Sequence, residues 1–423
     1  MRLLLTALAL VLISLVGSRF GFRSRRASVA VRLFTSSGSH FVVAGFLLGP
    51  HAAGLVTPEL IRELAPFVAL GLGWIGLLFG LQFDRRVLRA FRRGEHIAAA
   101  GQAVIAWVTM ATGLLVAAGL VGGNEPGLLA AAAAAAAAGC VASPTGAAVV
   151  FGSTRVRGPM SRLVSLGTSL DGAVGIVALA LLYAVVHVPA SPATVELGSA
   201  RWLAVPLLMA LLAGWLFLSL TREKPPSDEI VLFLLGLALV LAGTSLSIGA
   251  SPLFTAALAG AFLANVSPLR RRLTTIVASW EKPVHVLFLT LAGTMLSLRT
   301  WWVLAPLGAY LALRTLGKLA GGLLARPLLR GRSASGLYGA ALLSQGGVSI
   351  AIAVSALLVL GARYPASRAA PAVFDAVVLG VVVFELAGPP VMRRVLARAG
   401  EVEPGVRSGE SAHGGPDSAT GPG

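Results

Sequence analysis

Stretches of about 18 to 26 residues with hardly a charge follow one another along almost the whole of this 423-residue chain, each long enough to cross a hydrocarbon layer of roughly 30 Å as a helix. Backbone in hydrocarbon must satisfy its own N–H and C=O groups, which leaves helices and closed barrels; uninterrupted apolar runs of this length select helices. Thirteen windows are readable, centred on residues 3–18, 36–49, 63–82, 97–121, 127–151, 162–187, 202–220, 228–247, 251–266, 283–298, 301–325, 335–360 and 369–392. A composition that is 56% hydrophobic and 12% charged excludes a soluble domain around one core.

The formal charge of +17 belongs to the links between windows. The links after windows 1, 3, 5, 7, 9, 11 and 13 carry 26 of the 34 Lys and Arg, whereas the alternate links carry six. Cytoplasmic links retain positive charge, so this alternation predicts thirteen spans with the N-terminus outside and the C-terminus inside, and it excludes a nucleic-acid reading. Residues 1–20 have signal-peptide features, but the five arginines from Arg19 to Arg32 against one at Arg2 predict a retained first helix. A single cysteine, Cys140, leaves neither a disulfide nor a metal cluster, and no cofactor is implied. The polar tail after residue 400 reads as disordered.

Two distant stretches are alike: "AGFLLGPHAAGL" from Ala44 and "AGAFLANVSPL" from Ala259, followed by "GLQFDRR" from Gly80 and "GTMLSLR" from Gly293. The offset is seven windows, and an odd offset inverts the second copy. The expectation is an all-α membrane protein of about 13 transmembrane helices: two inverted six-helix repeats (1–200 and 228–395), a linking helix and loop (201–227) and a cytoplasmic tail (396–423). Window 5 is interrupted at Pro144, between Ser143 and Thr145, and window 12, seven later, at Gly346 and Gly347 after Ser344 and Gln345. Kinked packing is the plain reading of either break alone. As a symmetric pair they point to two interrupted helices crossing near mid-membrane, where freed backbone oxygens line a wet site.

Charge at mid-bilayer costs about 2.5–3.5 kcal/mol, so a charge that persists there faces a partner or a cavity. Asp171 lies mid-window on one face with Gly167 and Gly175, and Thr168 is on the same side. Arg314 and Lys318 are four residues apart in window 11. Glu385 is a secondary acid whose plainer reading is an ion pair with Arg393 at the cytoplasmic end, and Asp375 reads as interfacial. Several of the seven tryptophans lie near window ends, as an interfacial belt would. His285 reads as a weak candidate pH sensor.

Eight pieces in order, "VVAGFLLGP", "LLFGLQFDRRVLR", "ASPTGAAVVFGSTRVRGPMSR", "SLDGAVGIVALALL", "ALAGAFLAN", "LRTLGKLAGG", "SQGGVSIAIA" and "FELAGPPVMRR", resemble the monovalent cation:proton antiporter superfamily of bacterial inner membranes, over residues 35–395. The resemblance implies exchange of Na+, K+ or Li+ for protons by a homodimer in lipid. A core of windows 4–6 and 11–13 would move against a dimerisation side of windows 1–3 and 8–10. It makes Asp171 the ion- and proton-binding acid, with Ser143, Thr145, Thr168 and carbonyls near Ser344 and Gln345 as oxygen ligands. "LRTLGK" resembles the family's basic pair, which makes Arg314 the counter-ion of Asp171, with Lys318 beside it. Relatives carry Asp-Asp or Asn-Asp at this place, the second residue being the usual carrier, whereas this chain has Asp171 at the first position and Gly172 at the second. Two rivals follow, a degenerate member serving as sensor or partner subunit, and a channel or anion pathway dominated by Arg314. A fixed ion pair that merely joins two helices is the plainer structural reading of Asp171.

Overall fold

Two pairs of glycines set how closely the helices of this molecule approach. The computed structural model describes residues 38–121, 125–154, 156, 158–186, 201–223, 225–297, 303–329 and 335–402; the first window, Trp301 and Trp302, and the tail beyond residue 402 lie outside these. All regular structure among the described residues is helical. In chain order the main helices are α1 (Ser39–Leu48), α2 (Ala65–Leu81), α3 (Arg93–Val121), α4 (Leu128–Gly139), α5 (Pro144–Thr154), α6 (Pro159–Val186), α7 (Ala204–Leu220), α8 (Ser227–Ser247), α9 (Pro252–Val266), α10 (Arg270–Thr294), α11 (Leu304–Ala325), α12 (Tyr338–Ala341), α13 (Gly347–Arg363) and α14 (Ala369–Arg398). Among the described residues, each of windows 2–13 contains helix, with windows 5 and 12 split as α4–α5 and α12–α13.

Five stretches among the described residues are long and apolar enough to cross a membrane: Arg93–Leu120, Leu128–Gly152, Pro159–Val186, Ser227–Ser247 and Ala369–Arg398. Shorter apolar helices such as α2 and α9 run 17 and 15 residues. At 1.5 Å per residue they reach only about 22–25 Å, and their ends must lie in the interface. Leu207, Leu208, Leu212, Trp215 and Leu216 on α7 are exposed, as a lipid-facing surface requires. The chain is a multi-pass membrane protein.

At Gly45 on α1 an added Cβ would lie 2.0 Å from the Thr290 carbonyl oxygen on α10; at Gly293 on α10 it would lie 2.1 Å from that of Val42. The second pair repeats this: Gly80 on α2 against the Ala257 carbonyl at 2.1 Å, and Gly260 on α9 against that of Leu77 at 2.5 Å. Backbone meets backbone at both crossings, which only glycine permits. Around the α2–α9 crossing, α2, α7, α8, α9 and α10 enclose an apolar core that includes Trp74, Leu77, Leu234, Leu263 and Val277. Trp74 is thus a packing residue, only 2% exposed, not a member of an interfacial belt.

The remaining helices, α3–α6 and α11–α14, pack around the two interruptions. The long helices α3 and α11 lie side by side, α6 rests on α4, and α14 rests on α13 and α4. The entry of α6 is fixed from far along the chain: the Glu401 carboxylate accepts the Met160 and Ser161 amides at 2.6 and 2.8 Å. A negative charge there satisfies free N–H groups and complements the positive helix end.

Candidate functional site

Helix α4 ends at Gly139 and α5 starts at Pro144; α12 ends at Ala341 and α13 starts at Gly347. Pro144 occupies the first helical position, where its missing N–H costs nothing. The Ser143 hydroxyl accepts the Gly146 amide at 3.0 Å and pairs with the Thr145 hydroxyl at 2.8 Å, capping α5. The two interruptions touch directly, with the Ser143 N–H donating to the Ser344 carbonyl at 2.9 Å. Their glycines allow it: a Cβ on Gly146 would strike Ser344 Oγ and one on Gly346 would strike Ser143 Oγ.

A crossing of two broken helices leaves carbonyls at the ends of α4 and α12 without helical partners. Arg314, fully buried on α11, takes them. Its Nη1 donates to the Gly139 carbonyl, and its Nη2 to those of Leu343 and Ser344 at 3.2 and 3.4 Å, while the guanidinium lies 5.0 Å above the Phe384 ring. A cation at two helix C-termini is favourable on dipole grounds as well.

One turn further along α11, Lys318 carries the other buried cation, and its Nζ meets Asp171 Oδ2 at 2.5 Å, both side chains fully buried. The expectation that Arg314 is the counter-ion of Asp171 is corrected here. Arg314 is committed to backbone oxygens, its planar fork of donors reaching three carbonyls at once. Asp171 Oδ1 is buried without a hydrogen-bond partner, as are Ser344 Oγ, Gln345 Oε1 and Ser349 Oγ. Gln345 Nε2 is occupied, donating to the Tyr310 hydroxyl at 2.5 Å and to the Ala138 carbonyl at 3.2 Å. Such unpaired buried oxygens are few in a well-packed protein, and each has a cost.

The structure thus brings Asp171 to Lys318, and Ser143, Thr145, Ser344, Gln345 and Arg314 to the crossing. The Thr168 hydroxyl donates to the Ser165 carbonyl of its own helix at 2.9 Å. Glu385 is 6% exposed and directly follows Phe384, which lies under the Arg314 guanidinium; Arg393 is exposed. Asp375 is fully buried and accepts the Ser297 amide and hydroxyl at 3.1 and 2.6 Å.

A cavity of about 260 Å³ reaches the crossing, walled by Ser143–Thr145, Gly346–Val348, Phe79 and Gln82 of α2, and Glu281 and His285 of α10. The His285 ring covers Gly347, where a Cβ would lie 2.1 Å from its Cε1. Phe79 joins the cavity to α6: a Cβ on Gly172 would lie 2.4 Å from its ring. The space beside Gly172 is therefore filled by an aromatic side chain. Sequence reasoning missed Ser349, Tyr310 and Glu281; Glu281 falls two residues before window 10 and looks there like an ordinary link charge.

A family model described as "Sodium/hydrogen exchanger, transmembrane" matches residues 7–394. No curated protein matches the chain. The fold is similar to that of the sodium proton antiporter MjNhaP1 from Methanocaldococcus jannaschii solved at pH 8, with 14% identity, 94% of this chain and 99% of that chain covered, and a TM-score of 0.67. A structure of the same antiporter from an electron-microscopy map gives 17% identity, 94% and 98% coverage, and a TM-score of 0.59.

Proposed function

The chain belongs to the sodium/hydrogen exchanger family, membrane antiporters of cations and protons, and from that premise we propose that it exchanges Na+, K+ or Li+ for protons by alternating access at Asp171. The observation that carries this is a carboxylate with one oxygen on Lys318 and the other free, fully buried beside a crossing of two broken helices that a cavity reaches. One carboxylate in a dry site takes one positive partner at a time: the Lys318 ammonium, a cation or a proton. Loading a cation displaces Lys318, and protonation displaces the cation, so the two passengers exclude each other. Ser143, Thr145, Ser344 and Gln345 supply neutral oxygens to a partly dehydrated cation, with Glu385 as a secondary acid nearby. Arg314 holds the crossing together while the passengers change.

The inverted-repeat plan is supported by the reciprocal glycine contacts. If windows 2 and 3 correspond to windows 9 and 10, the repeat maps Gly45 to Gly260 and Gly80 to Gly293, turning the Gly45–Gly293 crossing into the Gly260–Gly80 crossing. On this plan α3–α6 and α11–α14 move as a core against the side containing α1, α2 and α8–α10, which carries the homodimer contact. The positive links support a cytoplasmic C-terminus in a bacterial inner membrane. The cavity wall includes Gln82 and Glu281, close in sequence to those links, which supports a site open to the cytoplasm. The test is dissipation of an imposed pH gradient in proteoliposomes on addition of Na+, K+ or Li+. The reading requires a response in the native protein that is absent in Asp171→Asn; no response to any of the three overturns it.

A further inference from the structure

The cavity that reaches the crossing contains two ionisable side chains, and neither is Asp171. Glu281 and His285 stand one turn apart on the same face of α10 and line that wall with Val284 between them. Opposite them α2 contributes Trp74, Ile75, Leu78, Phe79 and the neutral Gln82, and the broken segments contribute Ser143, Thr145 and backbone. His285 already touches the start of α13 at Gly347; Glu281 is one turn nearer the Arg270 end of its helix, toward the cytoplasmic links. A cation entering by this cavity meets the Glu281 carboxylate before any other acid. Apolar walls around a single charge focus its field into the cavity.

We propose that Glu281 is the entry residue for the transported cation, raising its concentration at the Ser143–Thr145 end of the cavity before it reaches Asp171. This inference rests on the antiporter reading. Glu281 acts on capture and not on the exchange step, so its charge belongs in the apparent KM for the cation and not in the maximal rate. The charged group beside it is Lys282, exposed on the next position, whose ammonium offsets part of the attraction. Glu281 precedes the apolar segment beginning at Pro283, and burial raises its carboxyl above the usual carboxylate range, with Lys282 pulling it back. The entry charge therefore fades at a higher pH than that of an ordinary carboxylate as the cytoplasmic-side pH falls.

The experiment is initial-rate exchange in proteoliposomes, with the cation titrated on the cavity side, for the native protein, Glu281→Gln, Glu281→Asp and Asp171→Asn. Glu281→Gln should raise the cation KM about five- to tenfold at neutral pH with the maximal rate within twofold of native. Glu281→Asp should restore most of the KM, and native and Glu281→Gln values should converge as the pH is lowered. An unchanged KM in Glu281→Gln, or a fall in maximal rate at constant KM, overturns the entry role and leaves Asp171 untouched. Exchange that persists in Asp171→Asn instead removes the reading on which this one rests.

Discussion

Replacing Lys318 by Met removes the ammonium from the buried pair while nearly keeping the side-chain volume, and its cost can be worked from the structure. The two charges lie 2.5 Å apart and both side chains are fully buried. At an effective dielectric constant of about 20 their attraction is roughly 6–7 kcal/mol. Much of it offsets the desolvation of two ions, so the pair as a whole contributes little; removing one partner, however, strands the other and costs about 3–5 kcal/mol. Lys318→Met should lower the thermal unfolding midpoint of the purified protein in detergent by on the order of 5–10 °C. The double variant Asp171→Asn with Lys318→Met replaces both charges and should recover most of that loss. Equal midpoints for native and Lys318→Met, or a double variant no more stable than the single one, would refute the pairing. An equivalent test at Arg314 has a different outcome: Arg314→Met takes the donor from the Gly139 and Leu343 carbonyls, while that of Ser344 keeps the Ser143 N–H, and no carboxylate is stranded, so Asp171→Asn should not rescue it.

Three other expectations can be checked with the same preparation. Gly172→Asp inserts a side chain 2.4–2.6 Å from the Phe79 ring and should destabilise by about 1–3 kcal/mol of overpacking, a loss relieved by adding Phe79→Ala; a single variant as stable as native contradicts the contact. On the side away from the cavity, Tyr183 bonds Ser355, whose hydroxyl lies 3.5 Å from that of Ser251 at the start of α9. A Ser251→Cys, Ser355→Cys pair should form a disulfide on oxidation and stop exchange reversibly, and full exchange in the crosslinked protein would contradict alternating access between these two helix groups. Glu401→Gln removes the charge from the α6 cap and should lower stability by roughly 1 kcal/mol with exchange retained, measured as unfolding midpoint beside flux; loss of exchange at unchanged midpoint would contradict a purely structural cap.

Much of the architecture was legible because hydrocarbon imposes one rule on every segment. Uncharged runs had to be helices, and Pro144 and the Gly346–Gly347 pair had to break them; the two breaks meet through the Ser143 N–H and the Ser344 carbonyl. The choice between two cations on one helix face was not legible. Arg314 and Lys318 differ by a single turn, and their assignment depends on where the freed carbonyls of Gly139, Leu343 and Ser344 end up, which is tertiary information. Burial at Asp375 and Glu385 is tertiary information too: both lie on α14, and the helices packed against it enclose them. Glu281 shows the converse: a charge outside an apolar window still lines the cavity, because α10 begins well before its apolar part.

The central claim is that one carboxylate serves cation and proton in turn. Cation binding to the purified protein, measured calorimetrically with Na+, K+ and Li+ over a series of pH values, tests it most directly. The account requires binding that weakens as the pH falls, since protons and cation compete for Asp171, and that vanishes in a folded Asp171→Asn. Cation affinity indifferent to pH, or preserved without this carboxylate, would contradict it.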